Sequence, residues 1–327
     1  MTSRGSRVAN VEANETSPLN STQNQIPNGK IEMDSETKRI LTKVVLDIIL
    51  LGCVGIPILM FFLFGVPYKR GFNCNDESLM YPFHESTVTH ELLYSIGFGL
   101  PIISIVVTEF VRWKLGMETD RDLKLFGYTI PIWVQHCYKY IGIFLFGAAC
   151  SQMTTDIAKY TIGRLRPHFF DVCKPAFTNG TIIDCRNPEN FYKYIVDFEC
   201  SNPNASARKL KEVRLSFMSG HSSFSMYTML FAALFLHVRM SWKGSKLAKH
   251  FLQFLFLSMA WYTALSRISN YKHHWSDVLA GTLQGVIIGV LIVFGVSDLF
   301  KNRWSSNKDT KSTVSRYELD DSNSRAN

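Results

Sequence analysis

Three polar clusters contain the residue types from which a phosphate site can be built. They are "KYTIGRLRPH" (159–168), "SFMSGHSSFS" (216–225) and "SRISNYKHHWSD" (266–277), and each interrupts strongly apolar sequence. Together they hold cations, histidines, a serine–glycine pair and an aspartate. These are the groups that bind an oxyanion and transfer a phosphoryl group. The clusters therefore predict phosphate chemistry, provided that the fold brings them together.

The cationic residues suit an oxyanion that carries several negative charges. Lys159, Arg166 and Arg267 supply donors, and the arginine fork matches phosphate geometry. Ser219 and Gly220 stand where a helix should begin, and the free N–H groups of a helix start bind phosphate. The sequence predicts that these five residues hold the phosphate.

Two histidines can divide the chemistry between them. His273 and Asp277 are four residues apart, so one helical turn would place them on the same face. A carboxylate bonded to one imidazole nitrogen would leave the other nitrogen free to attack phosphorus. His221 could protonate the leaving alkoxide and then activate water. Which nitrogen of His273 would meet phosphorus is left open by the sequence.

The same residues allow other interpretations. Cations near a membrane edge are often interface anchors, and the His273–Asp277 pair could be a structural hydrogen bond. His221, His273, His274 and Asp277 could instead ligate zinc. Three cations converging on one pocket would repel a metal ion, so the prediction is a site with no metal and no other cofactor.

Long apolar stretches must position these clusters. Six stretches contain no Asp, Glu, Lys or Arg, and each is close to the roughly 20 residues that a bilayer-crossing helix requires. The sequence therefore predicts an all-α integral membrane protein rather than a soluble domain. The six predicted spans are 48–68, 92–108, 140–155, 218–238, 250–266 and 278–297.

The distribution of Lys and Arg predicts the orientation. Basic residues gather beside both termini and in the 113–131 and 239–249 connections, which the positive-inside rule places in the cytoplasm. The loops 160–217 and 267–276 are then external, and all three clusters meet at that face. The net charge of +8 is dispersed among membrane flanks, so we expect contact with the bilayer and none with nucleic acid.

The two ends of the chain are polar. Residues 1–39 and 301–327 are expected to be disordered cytoplasmic tails flanking a six-span domain over 40–300. Residues 1–37 lack an apolar core of a cleavable signal peptide, so the first span is expected to direct insertion.

Cysteines and glycosylation sequons agree with this orientation. Four cysteines fall in the predicted external loops, where disulfides form, and three pairings remain open. They are Cys74, Cys173, Cys185 and Cys200. Asn179 and Asn204 begin sequons in the long external loop and are predicted to be glycosylated.

The three clusters resemble the motifs of the type 2 phosphatidic acid phosphatase superfamily, in particular its animal lipid phosphate phosphatases. Lys159 through Arg166-Pro167 is similar to the first motif, Lys-x6-Arg-Pro. Ser219-Gly220-His221 is similar to the second, although Met218 stands where the family has proline. The third motif, Ser-Arg-x5-His-x3-Asp, is matched by Ser266, Arg267, His273 and Asp277.

This resemblance implies a function and roles for the residues. His273 would form a phosphohistidine, Asp277 would orient it, and His221 would act as acid and then base. The substrates would be phosphatidic acid, lysophosphatidic acid, sphingosine 1-phosphate and ceramide 1-phosphate. The reaction would take place without metal at the outer face of the plasma membrane or in an organelle lumen. A homo-oligomer is compatible with the resemblance.

Two rival functions come from other classes. A related animal group has lost motif residues and binds lipid phosphates without catalysis, whereas this chain retains the motif residues. A transporter is the second rival, since Glu109, Lys139 and Asp156 lie in or beside predicted spans.

Overall fold

The computed structural model describes residues 35–118, 122–240 and 246–300 of the chain. Within this described part, the chain forms nine α-helices, six of them long. In chain order they are α1 (Ser35–Phe64), α2 (His90–Lys114), α3 (Ile132–Ile162), α4 (Phe169–Cys173), α5 (Pro188–Phe191), α6 (Ala207–Glu212), α7 (Gly220–Arg239), α8 (Lys246–Ser269) and α9 (Trp275–Val290). Each of the six predicted spans overlaps one long helix, although 48–68 runs past the end of α1 and 218–238 begins before α7.

Four of the six long helices in the described ranges are long and apolar enough to cross a membrane: α1, α2, α3, and α9 continued by the π-helix Leu291–Val296. The structure therefore supports a helical membrane protein. Helices α7 and α8 are not among the four, and each carries polar side chains toward its ends, including His221 at the start of α7 and Arg267 at the end of α8.

The helices extend beyond several predicted span boundaries. Helix α3 covers 31 residues where the sequence predicted 140–155, and it includes Asp156 and Lys159. Helix α1 begins at Ser35, inside the segment that was expected to be a disordered tail. Stretches without charged residues mark only the apolar middle of a membrane helix, because the helix can continue past the membrane core. The remaining tail predictions, for 1–34 and 301–327, lie outside the described residues.

Helix α7 is the centre of the bundle. It packs against α2, α3, α8 and α9, and most of its side chains are buried. Helix α1 is peripheral: it packs chiefly on α3, and its apolar side chains are largely exposed, as lipid-facing side chains would be. The residues at the start of α7 are therefore surrounded by the other helices of the bundle.

Glycines allow α9 to approach α7 closely. Gly281, Gly285 and Gly289 are spaced four residues apart on the face of α9 that meets α7. A Cβ atom at Gly281 would lie 2.5 Å from the carbonyl oxygen of Ser219, and one at Gly285 would lie 2.5 Å from that of Ser223. Small residues at this spacing let two membrane helices pack backbone against backbone. The close packing holds the start of α9 against the start of α7.

The segment between α3 and α7 folds over one end of the bundle together with the chain between α1 and α2. Its short strands are β4 (Pro175–Ala176), β5 (Tyr194–Ile195) and β6 (Glu199–Cys200), and the earlier loop supplies β1 (Phe72–Asn73). Strand β1 pairs antiparallel with β5, and β4 with β6. Between α2 and α3, β2 (Leu123–Leu125) and β3 (Tyr128–Ile130) form a separate hairpin.

Two disulfides join these loops, and they select one of the three pairings that the sequence left open. Cys74 bonds to Cys185, and Cys173 bonds to Cys200. The first bond links the loop before α2 to the long segment before α7. Beneath the disulfides, the rings of Phe72, Phe169 and Phe198 pack edge to face or tilted.

Ion pairs join α2, α3 and α7 at the other end of the bundle. The buried carboxylate of Glu109 accepts from Arg239 at 2.8 and 2.6 Å, and His136 Nδ1 lies 3.1 Å from it. Glu118 accepts from Arg239 at 2.8 Å and from Arg112 at 2.7 Å. Glu109 is therefore held in a structural network, which weakens its interpretation as part of a transport pathway.

Candidate active site

Backbone hydrogen bonds bring the first two clusters together. The N–H of Arg166 donates to the carbonyl of Val213 at 2.9 Å, and the N–H of Ser216 donates to the carbonyl of Arg164 at 2.9 Å. The segment that leaves α3 therefore runs beside the segment that enters α7. The N–H of Ser219 donates in turn to the carbonyl of Asp277 at 3.0 Å, which brings in the third cluster. The prediction that the three clusters converge is realised in the fold.

The start of α7 is arranged as an anion seat. Ser219 is fully buried and caps the helix, with its Oγ 3.4 Å from the N–H of Ser222. Lys159, in the last turn of α3, reaches the same place: a Cβ atom at Gly220 would lie 3.0 Å from its Nζ. The absence of a side chain at Gly220 therefore leaves room for the ammonium group. Unpaired N–H groups at a helix start attract an anion, and the ammonium strengthens that attraction.

The three cations of the site form no direct ion pairs with carboxylates of the described residues. Arg267 is 1% exposed, and its guanidinium contacts the hydroxyls of Ser266 at 3.1 and 3.2 Å and Ser86 at 3.4 Å. Among the described residues, neither Lys159, Arg166 nor Arg267 forms an ion pair with a carboxylate within 4.0 Å. Removing a charge from water without a partner is costly, so the bundle holds positive charge ready for an anionic ligand.

His273 is oriented by a main-chain carbonyl. Its Nδ1 lies 2.7 Å from the oxygen of Ser216, and a carbonyl can only accept, so Nδ1 carries the proton and donates it. Nε2 then carries the lone pair. Burial, and next the positive charges of Arg166 and Lys159, hold the pKa of His273 well below its ordinary value near 6.5. The imidazole is therefore neutral at physiological pH, as a nucleophile must be.

The expected direct hydrogen bond between His273 and Asp277 is absent. His273 Nδ1 lies 4.0 Å from Asp277 Oδ2, because His273 precedes α9 rather than lying on it, and the four-residue helical spacing does not apply. The buried carboxylate of Asp277 instead accepts from Ser216 Oγ at 2.6 Å and from the N–H of His274 at 3.1 Å. It also pairs with Arg164 Nη1 at 2.5 Å. Ser216 therefore contacts both Asp277 and His273.

His221 is the second residue of α7 and is 8% exposed. Its ring packs edge to face on that of His90, with centroids 4.7 Å apart. The buried atoms His221 Nε2 and Arg166 Nε have no hydrogen-bond partner in the described part of the chain. Buried polar atoms are nearly always paired in folded proteins, so these two are candidates for contact with a bound ligand.

Three residues of this region were missed by the sequence reasoning. Arg164 lies in the first cluster, two residues before Arg166, and Ser216 lies in the second, three residues before Ser219. Only this closeness to predicted site residues could have indicated their importance. His90 begins α2, far from any cluster in the sequence, and nothing in its local pattern indicates that it meets His221.

The arrangement does not favour the zinc interpretation. His274 Nε2 lies 3.1 Å from the carbonyl of Leu165, and the oxygens of Asp277 already accept several hydrogen bonds. In the described ranges, the one group of side chains spaced to share a metal ion is Glu109, Glu118 and His136, which belongs to the ion-pair network at the other end.

Lys272 adds a further cation beside the site. It is 6% exposed, and its Nζ lies 3.6 Å from the centroid of the Phe83 ring. Burial, and then the charge of Arg166, lowers the pKa of Lys272 to about 8.

The same face of the bundle carries the exposed sequon residues Asn179 and Asn204, whose glycosylation stays a prediction.

Comparisons with known proteins agree with the motif resemblance. The model of the PAP2 superfamily matches residues 140–301, which contain all three clusters. "Putative phosphatidate phosphatase" of Drosophila melanogaster is 53% identical over 277 residues, 83% of this chain and 72% of the relative. Phospholipid phosphatase 1 of Rattus norvegicus is 42% identical, over 83% of this chain and 90% of the relative. Phospholipid phosphatase 2 of Homo sapiens is 40% identical, over 80% of this chain and 84% of the relative.

No solved structure gave a significant match. The similarity to the relatives nevertheless extends over most of their length as well as most of this chain, and the family model covers the site residues that come from the three clusters. The chain therefore belongs to the PAP2 superfamily.

Proposed function

We propose that this protein is a lipid phosphate phosphatase that hydrolyses the phosphomonoester of phosphatidic acid, lysophosphatidic acid, sphingosine 1-phosphate and ceramide 1-phosphate. The observation that carries the proposal is that three cations without a direct carboxylate contact lie around a neutral imidazole whose Nε2 is free. The names of the relatives support the same activity.

The first step is transfer of the phosphoryl group to His273. The phosphate lies among Lys159, Arg166, Arg267 and the start of α7, which neutralise the charge on its oxygens. Nε2 of His273 attacks phosphorus and forms a P–N bond while the P–O bond to the lipid breaks. The negative charge of the bound phosphate favours a second proton on His221. His221 takes up that proton from solvent and donates it to the leaving oxygen, so the lipid departs as an alcohol.

The second step is hydrolysis of the phosphohistidine. Water attacks phosphorus, and His221, now neutral, accepts a proton from that water. The P–N bond breaks, Nε2 of His273 regains its lone pair, and inorganic phosphate is released. Protein cations supply the charge neutralisation that a metal ion supplies in other phosphatases, so no metal takes part in the proposed reaction.

We also propose six membrane crossings, both termini in the cytoplasm, and an active site at the external face of the plasma membrane or in an organelle lumen. The positive-inside distribution, the disulfides and the sequons support this orientation. A phosphate pocket at the external helix ends can meet a lipid head group while the chains of the lipid stay in the bilayer.

The enzymatic proposal is tested by phosphate release from lysophosphatidic acid in detergent with excess EDTA. The wild-type protein should release phosphate, His273→Ala should lose at least about 10³-fold of the rate, and the control His84→Ala, at an exposed histidine, should retain it. No release by the wild type would favour a lipid-binding protein without catalysis. Inhibition by EDTA would revive a metal mechanism.

Orientation is tested separately. Glycosidase treatment of protein from animal cells should increase its gel mobility, and replacing Asn179 and Asn204 by Gln should remove the shift. An unshifted wild-type protein would contradict the proposed external position of the 160–217 loop.

A further inference from the structure

An apolar cavity opens beside the candidate active site. It has a volume of about 370 Å³ and lies between α2, α7 and α8. Its lining includes Val88 just before α2, Leu92 in the first turn of α2, Ser225 from α7, and Ser258 and Thr263 from α8. The cavity is separate from the phosphate seat, and the chemistry described above does not use it.

Helical register places the inner end of this cavity next to the site. Ser225 follows His221 by four residues on α7, and Thr263 precedes Arg267 by four residues on α8. Residues four apart share a face and are separated by about one turn, roughly 5–6 Å. The cavity therefore begins about one helical turn from both the proposed acid–base histidine and a phosphate-binding arginine.

The lining offers little to a polar ligand. The hydroxyl of Thr263 donates to the carbonyl of Met259 at 2.9 Å, and that of Ser225 lies 3.4 Å from the carbonyl of Ser222. Both hydroxyls are thus engaged by their own helices. Apart from Ser258 and Tyr262, the other lining residues are aliphatic, Gly or Met. Water is held in cavities by free polar partners, so this space suits an apolar group.

The outer rim of the cavity faces the region that lipid would occupy. Leu92, Leu255 and Tyr262 line the cavity and are 45%, 38% and 59% exposed. An apolar chain could therefore enter from the side, between α2 and α8, without leaving the bilayer.

We propose that this cavity binds one acyl or alkyl chain of the lipid while its phosphate occupies the site, an inference that rests on the proposed function. An engineered cavity of about 150 Å³ accommodates benzene, so about 370 Å³ has room for roughly a dozen carbons. The cations of the site hold the phosphate, and the chain extends away from them past Ser225 and Thr263.

A second apolar groove provides the control. It has a volume of about 260 Å³ and is lined by α1, α2 and α3 and by Phe224 of α7, with Ala149 and Gln152 on the α3 side. Gln152 donates to both carboxylate oxygens of Asp156 at 3.0 Å, so along α3 this groove meets an acidic group before it reaches Lys159. A negatively charged head group is repelled there, which favours the cavity between α2 and α8.

The experiment compares kcat/KM for single-chain alkyl phosphates of about 4 and about 12 carbons, the longer chosen to fill the cavity. The full-length protein is assayed at one fixed detergent concentration. The wild type should prefer the longer chain by at least about 10²-fold, since burying each additional methylene raises kcat/KM by up to about fourfold. Ser258→Phe should reduce this ratio at least about tenfold, and Ala149→Phe should keep it within about twofold. An unchanged ratio in Ser258→Phe, or an equal loss in Ala149→Phe, would overturn the proposal.

Photolabelling gives a second measurement that needs no variant. An alkyl phosphate with a diazirine at the end of its chain is bound to the wild-type protein, irradiated, and mapped by mass spectrometry. Labels on the cavity-lining turns of α2 and α8 support the proposal, and labels on α1 and α3 overturn it. This result can be obtained even if Ser258→Phe fails to fold. If the wild-type protein binds the probe but releases no phosphate from either substrate, the proposed function is refuted. The labelled positions then still show whether the chain lies in this cavity.

Discussion

The Nδ1 atom of His273 and the main-chain oxygen of Ser216 lie 2.7 Å apart, and this contact decides which imidazole nitrogen is free. The hydroxyl of the same serine donates to Asp277 at 2.6 Å, and Asp277 pairs with Arg164 at 2.5 Å. One serine therefore links a buried carboxylate to the proposed nucleophile. The orientation of His273 depends on this chain of contacts rather than on a direct bond to the carboxylate.

Asp277→Asn should lower kcat about 10–10²-fold and change KM little. The amide cannot accept from Arg164, Ser216 and the N–H of His274 in the way a carboxylate does, so the Ser216 carbonyl loses its fixed position. A small misplacement of a reacting group is enough for a loss of this size. Steady-state kinetics on lysophosphatidic acid measure both constants. Asp184→Asn, at an exposed loop residue, is the control and should match the wild type. A raised KM with unchanged kcat would instead assign Asp277 to phosphate binding.

Acid should destabilise the protein partly through His168. This residue is 2% exposed, and its Nδ1 lies 2.7 Å from the carbonyl of Tyr271. Burial, and then the charge of Arg166, lowers the pKa of His168 to about 4. The unfolded chain, with a pKa near 6.5, binds the proton more tightly, so unfolding takes up a proton below that pH. The stability contributed by His168 is present above about pH 6.5 and falls toward pH 4, by about 1.4 kcal/mol per pH unit.

Thermal unfolding at pH 7, 6 and 5 measures this effect. His168→Asn should unfold at a temperature that depends less steeply on pH than that of the wild type. Some dependence should remain, because the pKa values of His273 and His274 are also lowered. His84→Asn should keep the wild-type slope. A slope that His168→Asn leaves unchanged would show that His168 does not change its proton affinity on folding.

Arg239→Ala should destabilise the protein by about 3–5 kcal/mol, because it leaves the carboxylate of Glu109 buried without its arginine partner and with only His136 beside it. The side chain of Glu109 is 0% exposed and that of Arg239 is 15% exposed. Adding Glu109→Gln to Arg239→Ala should recover part of the loss, since it removes the unpaired charge. Denaturation in detergent measures each variant.

The control for this prediction is Arg208→Ala. Arg208 pairs with Glu212 at 3.1 Å, but its side chain is 71% exposed, so the loss should be below about 1 kcal/mol. Equal losses for Arg208→Ala and Arg239→Ala would contradict the structural role given to the network.

The two disulfides should differ in their effect on stability. Cys74–Cys185 spans 111 residues and Cys173–Cys200 spans 27, and closing the longer loop removes more entropy from the unfolded chain. Replacing the first pair by Ser should therefore cost about 1 kcal/mol more than replacing the second. Non-reducing peptide mapping checks the pairing, and thermal unfolding of the two double variants checks the order. A larger loss for the second pair would contradict the entropic argument.

Sequence alone identified much of this protein. Long stretches without charge predicted the six long helices, because the apolar length of a helix is a local property. The residue types and spacings of Lys159, Arg166, His221 and His273 predicted phosphate chemistry, because they match what a phosphate requires of its donors and nucleophile. The boundaries of α1 and α3 were less predictable, since a helix continues where hydropathy no longer marks it.

Only the tertiary structure decided how these residues meet. The contact of His273 with Ser216, the pairing of Cys74 with Cys185 and the packing of His90 on His221 each join residues that are distant in the sequence. The cavity between α2 and α8 likewise belongs to no single segment. Such contacts depend on how closely whole helices approach, as at Gly281 and Ser219, and local pattern does not encode that distance because it arises from the packing of both surfaces at once.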